Sequence, residues 1–217
     1  MRKIYQKAII MLSVACMGYA QPAFAADAVV KTNKAWLSGA THIYGRMTVS
    51  GITSSNIKEK GFCYSSVNQM PTVEDGTSKI YLSNQGEIYN ISQLKPATVY
   101  YIRAYVKKTN GDVVYGDPVK AITRPKGGVT YNINDGFPSD ALTRVLSAAK
   151  EAIDLWNEYT GIHGLHITIN YGAQTQTADC SYGGWMRIGP NASYQKTGTL
   201  LHEMLHAIGV GTHGTWQ

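Results

Sequence analysis

The chain has 217 residues, with 20 Lys and Arg against 14 Asp and Glu, a formal net charge of +6. That length suits two small domains better than one large one. The basic excess forms no run or stripe, which excludes nucleic acid as the expected partner.

The start is read as a processing signal. Arg2, Lys3 and Lys7 precede an apolar stretch over residues 8–20, too short to span a membrane comfortably. Ala23-Phe24-Ala25 then gives a small-x-small cleavage site, so residues 1–25 are expected to be a bacterial secretory signal peptide. The mature chain is expected to be secreted, periplasmic or at the cell surface, with no membrane span. Acylation at Cys16 as a lipoprotein is the weaker alternative, because Ser13 stands where a branched aliphatic residue is usual. Setting the signal aside removes three basic residues, taking the net charge from +6 to +3. Of the two remaining cysteines, Cys63 and Cys180, one falls in each half and neither has metal-ligand spacing; both are read as free and buried.

Residues 26–124 read as all-β. Short extended runs lie at 35–41, 46–51, 60–65, 87–92, 99–107 and 119–123, with turn residues between them. Asn110-Gly111 suits a hairpin loop, since both residues tolerate positive φ. In the run at 99–107, Tyr100, Ile102, Ala104 and Val106 alternate with Tyr101, Arg103 and Tyr105, so one face is expected to be buried. Leu94-Lys95-Pro96-Ala97-Thr98-Val99-Tyr100 resembles the L-x-P-x-T-x-Y corner of fibronectin type III domains. Gly61-Phe62-Cys63-Tyr64-Ser65 and Tyr115-Gly116-Asp117-Pro118 resemble the fibronectin-like modules of secreted proteins of the Bacteroides group. The resemblance implies a β-sandwich serving as spacer or adhesion module, with a cell-surface or matrix partner.

Residues 125–128, with Pro125, Gly127 and Gly128, are the expected linker. Beyond them the character changes to α+β. A short strand is expected at 129–134. A helix follows, opened by Pro138 and capped by Ser139 or Asp140, with Leu142, Val145, Leu146, Ala149, Ile153 and Trp156 as its apolar stripe. Gly161 is expected to end it. Further strands are expected at 165–171, with Ile167 and Ile169 inward, and at 185–188. His163 and His166 are read as ordinary histidines, since no carboxylate motif accompanies them.

The sequence then reaches His202-Glu203-Met204-Leu205-His206, within a helix starting near 197–199. Residues four apart share a helix face, so His202 and His206 can direct two imidazoles at one ion, with Glu203 beside them as a base. Gly209 and Gly211 allow the backbone to turn back and bring His213 toward the same point. This stretch resembles the active-site helix of the zincin metallopeptidases, closest to the metzincin HExxHxxGxxH signature, with His213 one place later than the pattern. The resemblance implies a Zn²⁺ ion held by His202, His206 and His213, with Glu203 as catalytic base. It implies hydrolysis of a protein or peptide substrate. It also implies an edge strand that pairs with the substrate backbone, placed by position at Gly184, Trp185 and Met186. The whole is expected to be multidomain: a fibronectin type III-like sandwich (26–124) and a small zincin-like α+β domain (129–217). Only four residues follow His213, so the methionine turn of metzincins has no counterpart here. The alternative expectation is therefore a truncated or inactive zincin relative acting as a surface binding or adhesion module.

Overall fold

The computed structural model describes residues 27–75 and 88–214. The expected signal peptide and Cys16 lie outside the described residues, as do residues 215–217. No helix among the described residues is long and apolar enough to cross a membrane.

The first half contains β1 (Val29–Ser38), β2 (Ile43–Ser50), β3 (Ile57–Ser65), β4 (Ile88–Ile91), β5 (Val99–Lys108), β6 (Val113–Tyr115) and β7 (Val119–Ile122). They form two antiparallel sheets, one in the order β1-β2-β4, the other β3-β5-β6 with β7 also on β5. Alternation along β5 buries Tyr100, Ile102, Ala104 and Val106 against Val30, Ile43, Met47, Phe62 and Ile91 of the facing layer and its neighbours. Each aliphatic side chain withdrawn this way contributes about 1.5–3 kcal/mol. The expected corner is present: the Lys95 amide donates to the Tyr100 hydroxyl at 2.9 Å, and Leu94 is buried behind it. Ala97, at φ 47°, supplies the sharp bend. Gly111, at φ 98°, turns β5 into β6.

The second half contains β8 (Gly128–Ile133), α1 (Ser139–Tyr159), β9 (His163–Tyr171), β10 (Ala178–Cys180), β11 (Trp185–Ile188) and α2 (Thr197–Ala207). The sheet order is β10-β11-β9-β8; β8, β9 and β11 run parallel and β10 is antiparallel. Both helices pack on one face, where Ile167, Ile169, Met186 and Ile188 meet Val145, Ala149, Leu200 and Met204 in a single core. This core is separate from that of the sandwich.

Three expectations for α1 need correction. Its N-cap is Pro138, with no side-chain cap bond, so Ser139 and Asp140 lie inside the first turn, and Asp140 pairs with Arg144 at 2.8 Å. The expected Val145, Ala149, Ile153 and Trp156 are buried, but Ala141, Ala148 and Ala152 complete the stripe and Leu146 is exposed, because small residues let α1 approach the sheet and α2 closely. The helix ends at Thr160 in extended backbone, without a left-handed Gly161.

The expected linker and the residue before it bond to both halves. The Arg124 amide donates to Gly39 O and its Nε to Ser38 O. The Gly127 amide donates to Asn157 O, on α1. Nearby, the Glu158 carboxylate accepts from the Thr41 amide at 2.6 Å and lies 2.7 Å from His42 Nδ1. His42 Nε2 lies 2.8 Å from the Tyr159 hydroxyl. The β1–β2 turn is thus fixed to the end of α1.

Candidate metal centre

The site is built on α2. Leu200, Met204 and Ala207 anchor one face of this helix in the core, which turns His202 outward and leaves His206 half-buried. One turn apart, the two imidazoles lie 5.0 Å between centroids, with planes at 88°.

The helix ends in a Schellman motif. Gly209 sits at φ 101°; the Val210 amide donates to Leu205 O and the Gly209 amide to His206 O. The motif folds the Val210 carbonyl back onto His206, whose Nδ1 lies 2.6 Å from it. A carbonyl can only accept, so Nδ1 carries the proton and Nε2 keeps its lone pair for a ligand.

Glu203 lies on the side of the helix facing β10 and is only 6% exposed. Among the described residues no hydrogen-bond donor reaches its carboxylate. Burial pushes this carboxyl above its ordinary value; His202 and His206 pull it down and Asp179 adds to the rise. The Cys180 thiol, in the same region, is pushed up to about 12 by burial and by the Glu203 and Asp179 charges. Cys180 and Cys63 are both buried and neither is in a disulfide, as the sequence indicated. A cleft of about 390 Å³ opens at Glu203 and His202, walled by Thr177, Tyr194, Lys196 and Thr199.

The expected third ligand is placed elsewhere. The His213 amide donates to Gly209 O, and the His213 ring stands edge-on to Tyr182 at 5.5 Å. Among the described residues no three His, Cys, Asp or Glu are grouped to hold one ion. The expectation of three gathered imidazoles is therefore corrected to two. The physical reason is the tight turn through Gly209 and Gly211 (φ 71°), which keeps His213 against the Tyr182 side of the helix end. In donor type the His202–His206 pair suits zinc, and the set is one protein ligand short of the usual three.

The expected substrate edge also needs correction. β11 lies inside the sheet, between β9 and β10, so Gly184, Trp185 and Met186 do not form an edge. Gly184 O accepts from the Thr168 amide, Trp185 O accepts from the Ser181 amide, and Met186 is fully buried. Trp185 is 48% exposed on the sheet face opposite α2, with the Arg187 guanidinium over its ring. The edge on the site side is β10. Thr177 O accepts from the Gly189 amide, just past β11, and the Ser181 amide donates to Trp185 O, so by antiparallel alternation Ala178 and Cys180 direct their amide and carbonyl groups outward. β10 was missed because Ala178-Asp179-Cys180 is short and mixed. The signal that reveals it is Gly183-Gly184, a hairpin turn that requires a strand on each side. His166 is an ordinary histidine, engaged by Thr130 and Asn132 at 2.8 Å each.

No family model and no curated protein matches this chain. Solved structures that match include the sixth fibronectin type III domain of human fibronectin type III domain containing protein 3, at 22% identity and TM-score 0.32, covering 50% of this chain and 88% of that one. The fn3 domain of human contactin 1 matches at 18% identity and TM-score 0.35, covering 54% and 96%. A family 28 exopolygalacturonase of Yersinia enterocolitica matches at 13% identity and TM-score 0.35, covering 65% of this chain and 27% of that one. The first half is a fibronectin type III-like sandwich. That statement rests on the two sheets, their strand order and the Tyr100 corner, to which likenesses of this size add nothing.

Proposed function

We propose that this chain is an exported zinc-dependent metalloendopeptidase of the zincin type, with the sandwich as its accessory domain. The observation that carries the reading is the His202–His206 pair on one helix face, beside a buried Glu203 that opens into a cleft. His202 and His206 would hold the ion, with His213 as the candidate third ligand. When bound, zinc supplies Lewis acidity toward a peptide carbonyl. Ala178 and Cys180 offer an extended substrate the backbone donors and acceptors of an open sheet edge. Glu203 takes a proton from the attacking water and returns it to the leaving amine; a carboxyl raised by burial is better matched to that exchange near neutral pH. Val210 O fixes the tautomer of His206.

The test is Glu203→Gln in zinc-loaded protein. The variant is expected to keep its zinc and lose cleavage of unfolded casein. Retained cleavage sinks the mechanism. A second reading, a binding or adhesion module without catalysis, is favoured by the position of His213 against Tyr182. Purified wild type that takes up no zinc in zinc-replete buffer would select it.

A further inference from the structure

We propose that the bare face of the second sheet binds an uncharged polysaccharide chain, with the Trp185 indole as its stacking platform. The proposal is independent of the zinc reading, because this face lies on the side of the sheet away from α2. Parallel strands are usually covered on both faces. Here α1 and α2 cover one face only, and what β8, β9, β10 and β11 present on the other is polar. Trp185 is the exception. At 48% exposure it is the one large apolar side chain that these strands leave open among the described residues. A single ring in a polar field is a poor core for a protein–protein interface, which needs several apolar side chains buried together. It suits a sugar, whose C–H face stacks on an aromatic ring while its hydroxyls meet polar neighbours.

Those neighbours are in place. The Asp179 carboxylate accepts from Arg187 Nε at 2.9 Å and from its terminal nitrogen at 2.5 Å, and the guanidinium stands over the indole, 5.3 Å from its centroid. This ion pair steadies the ring. It also cancels the only Asp, Glu, Lys or Arg charges that the described strands place on this face, which favours an uncharged ligand over a phosphate or a uronate. By register Thr168 lies beside Trp185 and Asn132 beside Thr168, a row of about 9.5 Å across two strand spacings. No hydrogen bond engages the Thr168 hydroxyl or the Trp185 indole N–H among the described residues. Asn132 is held from both sides: His166 Nε2 donates to its Oδ1 at 2.8 Å, and its Nδ2 donates to Asn134 Oδ1 at 2.7 Å. Asn134 Nδ2 donates in turn to Asn170 Oδ1 at 2.8 Å, and Asn170 Nδ2 to Met186 O at 3.0 Å, next to Trp185. Asn132 and Asn134 each spend one N–H in this chain and keep the other for a ligand. Amides already fixed lose little freedom on binding, which suits a ligand held by many modest contacts. An open sheet face is a platform and not a pocket, so it fits the middle of a flat, extended, β-linked chain rather than a terminal sugar.

The experiment is NMR titration of the full chain with cellohexaose, xylohexaose and mannohexaose, and with hexagalacturonate as the charged control. At least one neutral chain is expected to shift the Trp185 indole N–H and the amides of β9 and β11 saturably, with a Kd of about 1 mM. Trp185→Ala, with its fold checked by circular dichroism, is expected to weaken binding about tenfold or more. Asn132→Ala is expected to weaken it about two- to fivefold. Trp185→Tyr, which keeps an aromatic platform, is expected to retain most of the affinity. No saturable shift with any neutral chain up to about 10 mM overturns the proposal. So does tighter binding of hexagalacturonate, since the cancelled charges would then not select the ligand. Shifts that map to the sandwich, or that survive Trp185→Ala, also overturn it. Concentration-dependent shifts at these residues without sugar would assign the face to a second copy of the chain and overturn it too. Zinc is expected to leave the affinity unchanged, so these results are read separately from those of the peptidase test.

Discussion

The Glu158 contact is where the two halves hold each other, and its removal has a calculable cost. Glu158→Ala leaves three donors without their acceptor: the Thr41 amide at 2.6 Å, the Thr41 hydroxyl at 3.1 Å and His42 Nδ1 at 2.7 Å. Hydrogen bonds to a charged group contribute about 1.5–3 kcal/mol each where water is excluded. The hydroxyl can rotate to water, and the His42 and Glu158 side chains keep 13% and 16% of their exposure, so the sum is discounted for screening. A loss of about 3 kcal/mol is expected, and about half that for Glu158→Gln, which keeps an acceptor for the amide. The assay is urea unfolding combined with hydrogen exchange. The Thr41 amide should lose protection, whereas Ala40, whose amide donates to the Glu158 backbone carbonyl at 2.8 Å, should lose less. A cost below about 0.5 kcal/mol, with Thr41 exchange unchanged, refutes the account of the junction.

Two further outcomes follow from the same reasoning. Because burial raises the Glu203 carboxyl, the folded metal-free chain binds its proton more tightly than the unfolded chain does. This group's contribution to stability is therefore best in acid and falls as pH rises from the ordinary value of 4.5 through the raised one. Metal-free Glu203→Gln should be more stable than wild type at neutral pH, with the difference shrinking toward pH 4 in urea titrations; a constant difference contradicts the assignment. Tyr100→Phe removes the acceptor for the Lys95 amide and should cost the sandwich about 1–2 kcal/mol by chemical denaturation. An unchanged midpoint would mean that the corner hydrogen bond does not pin the loop.

Legibility in the sequence followed the length and regularity of each pattern. Alternation and the turn at Asn110-Gly111 gave β5 almost to the residue, whereas β1 runs over Val29–Ser38 and not 35–41, and Tyr105, on the face expected to be wet, is buried with Cys63 and Val73 by the loop after β3. The site helix was legible because spacing of four and a following glycine are local facts, and Gly209 terminates α2 as its position suggested. Two failures were non-local. Which strand forms an edge depends on pairing order, and the edge position assigned to β11 is held by β10. The direction of His213 depends on what lies beside the helix end, where the ring of Tyr182, some thirty residues earlier, stands against it. The burial of Glu203 against β10 had no signal in the motif either, since it comes from a strand too short to be recognised.

The brevity of β10 has a consequence for any guest and for crowding alike. On the peptidase reading proposed above, a rim with two outward-facing residues grips only a short length of extended chain, so most discrimination would come from side-chain pockets beside it. The same economy leaves little ribbon for a second molecule to zip onto, so this open border is guarded against welding to its own copies.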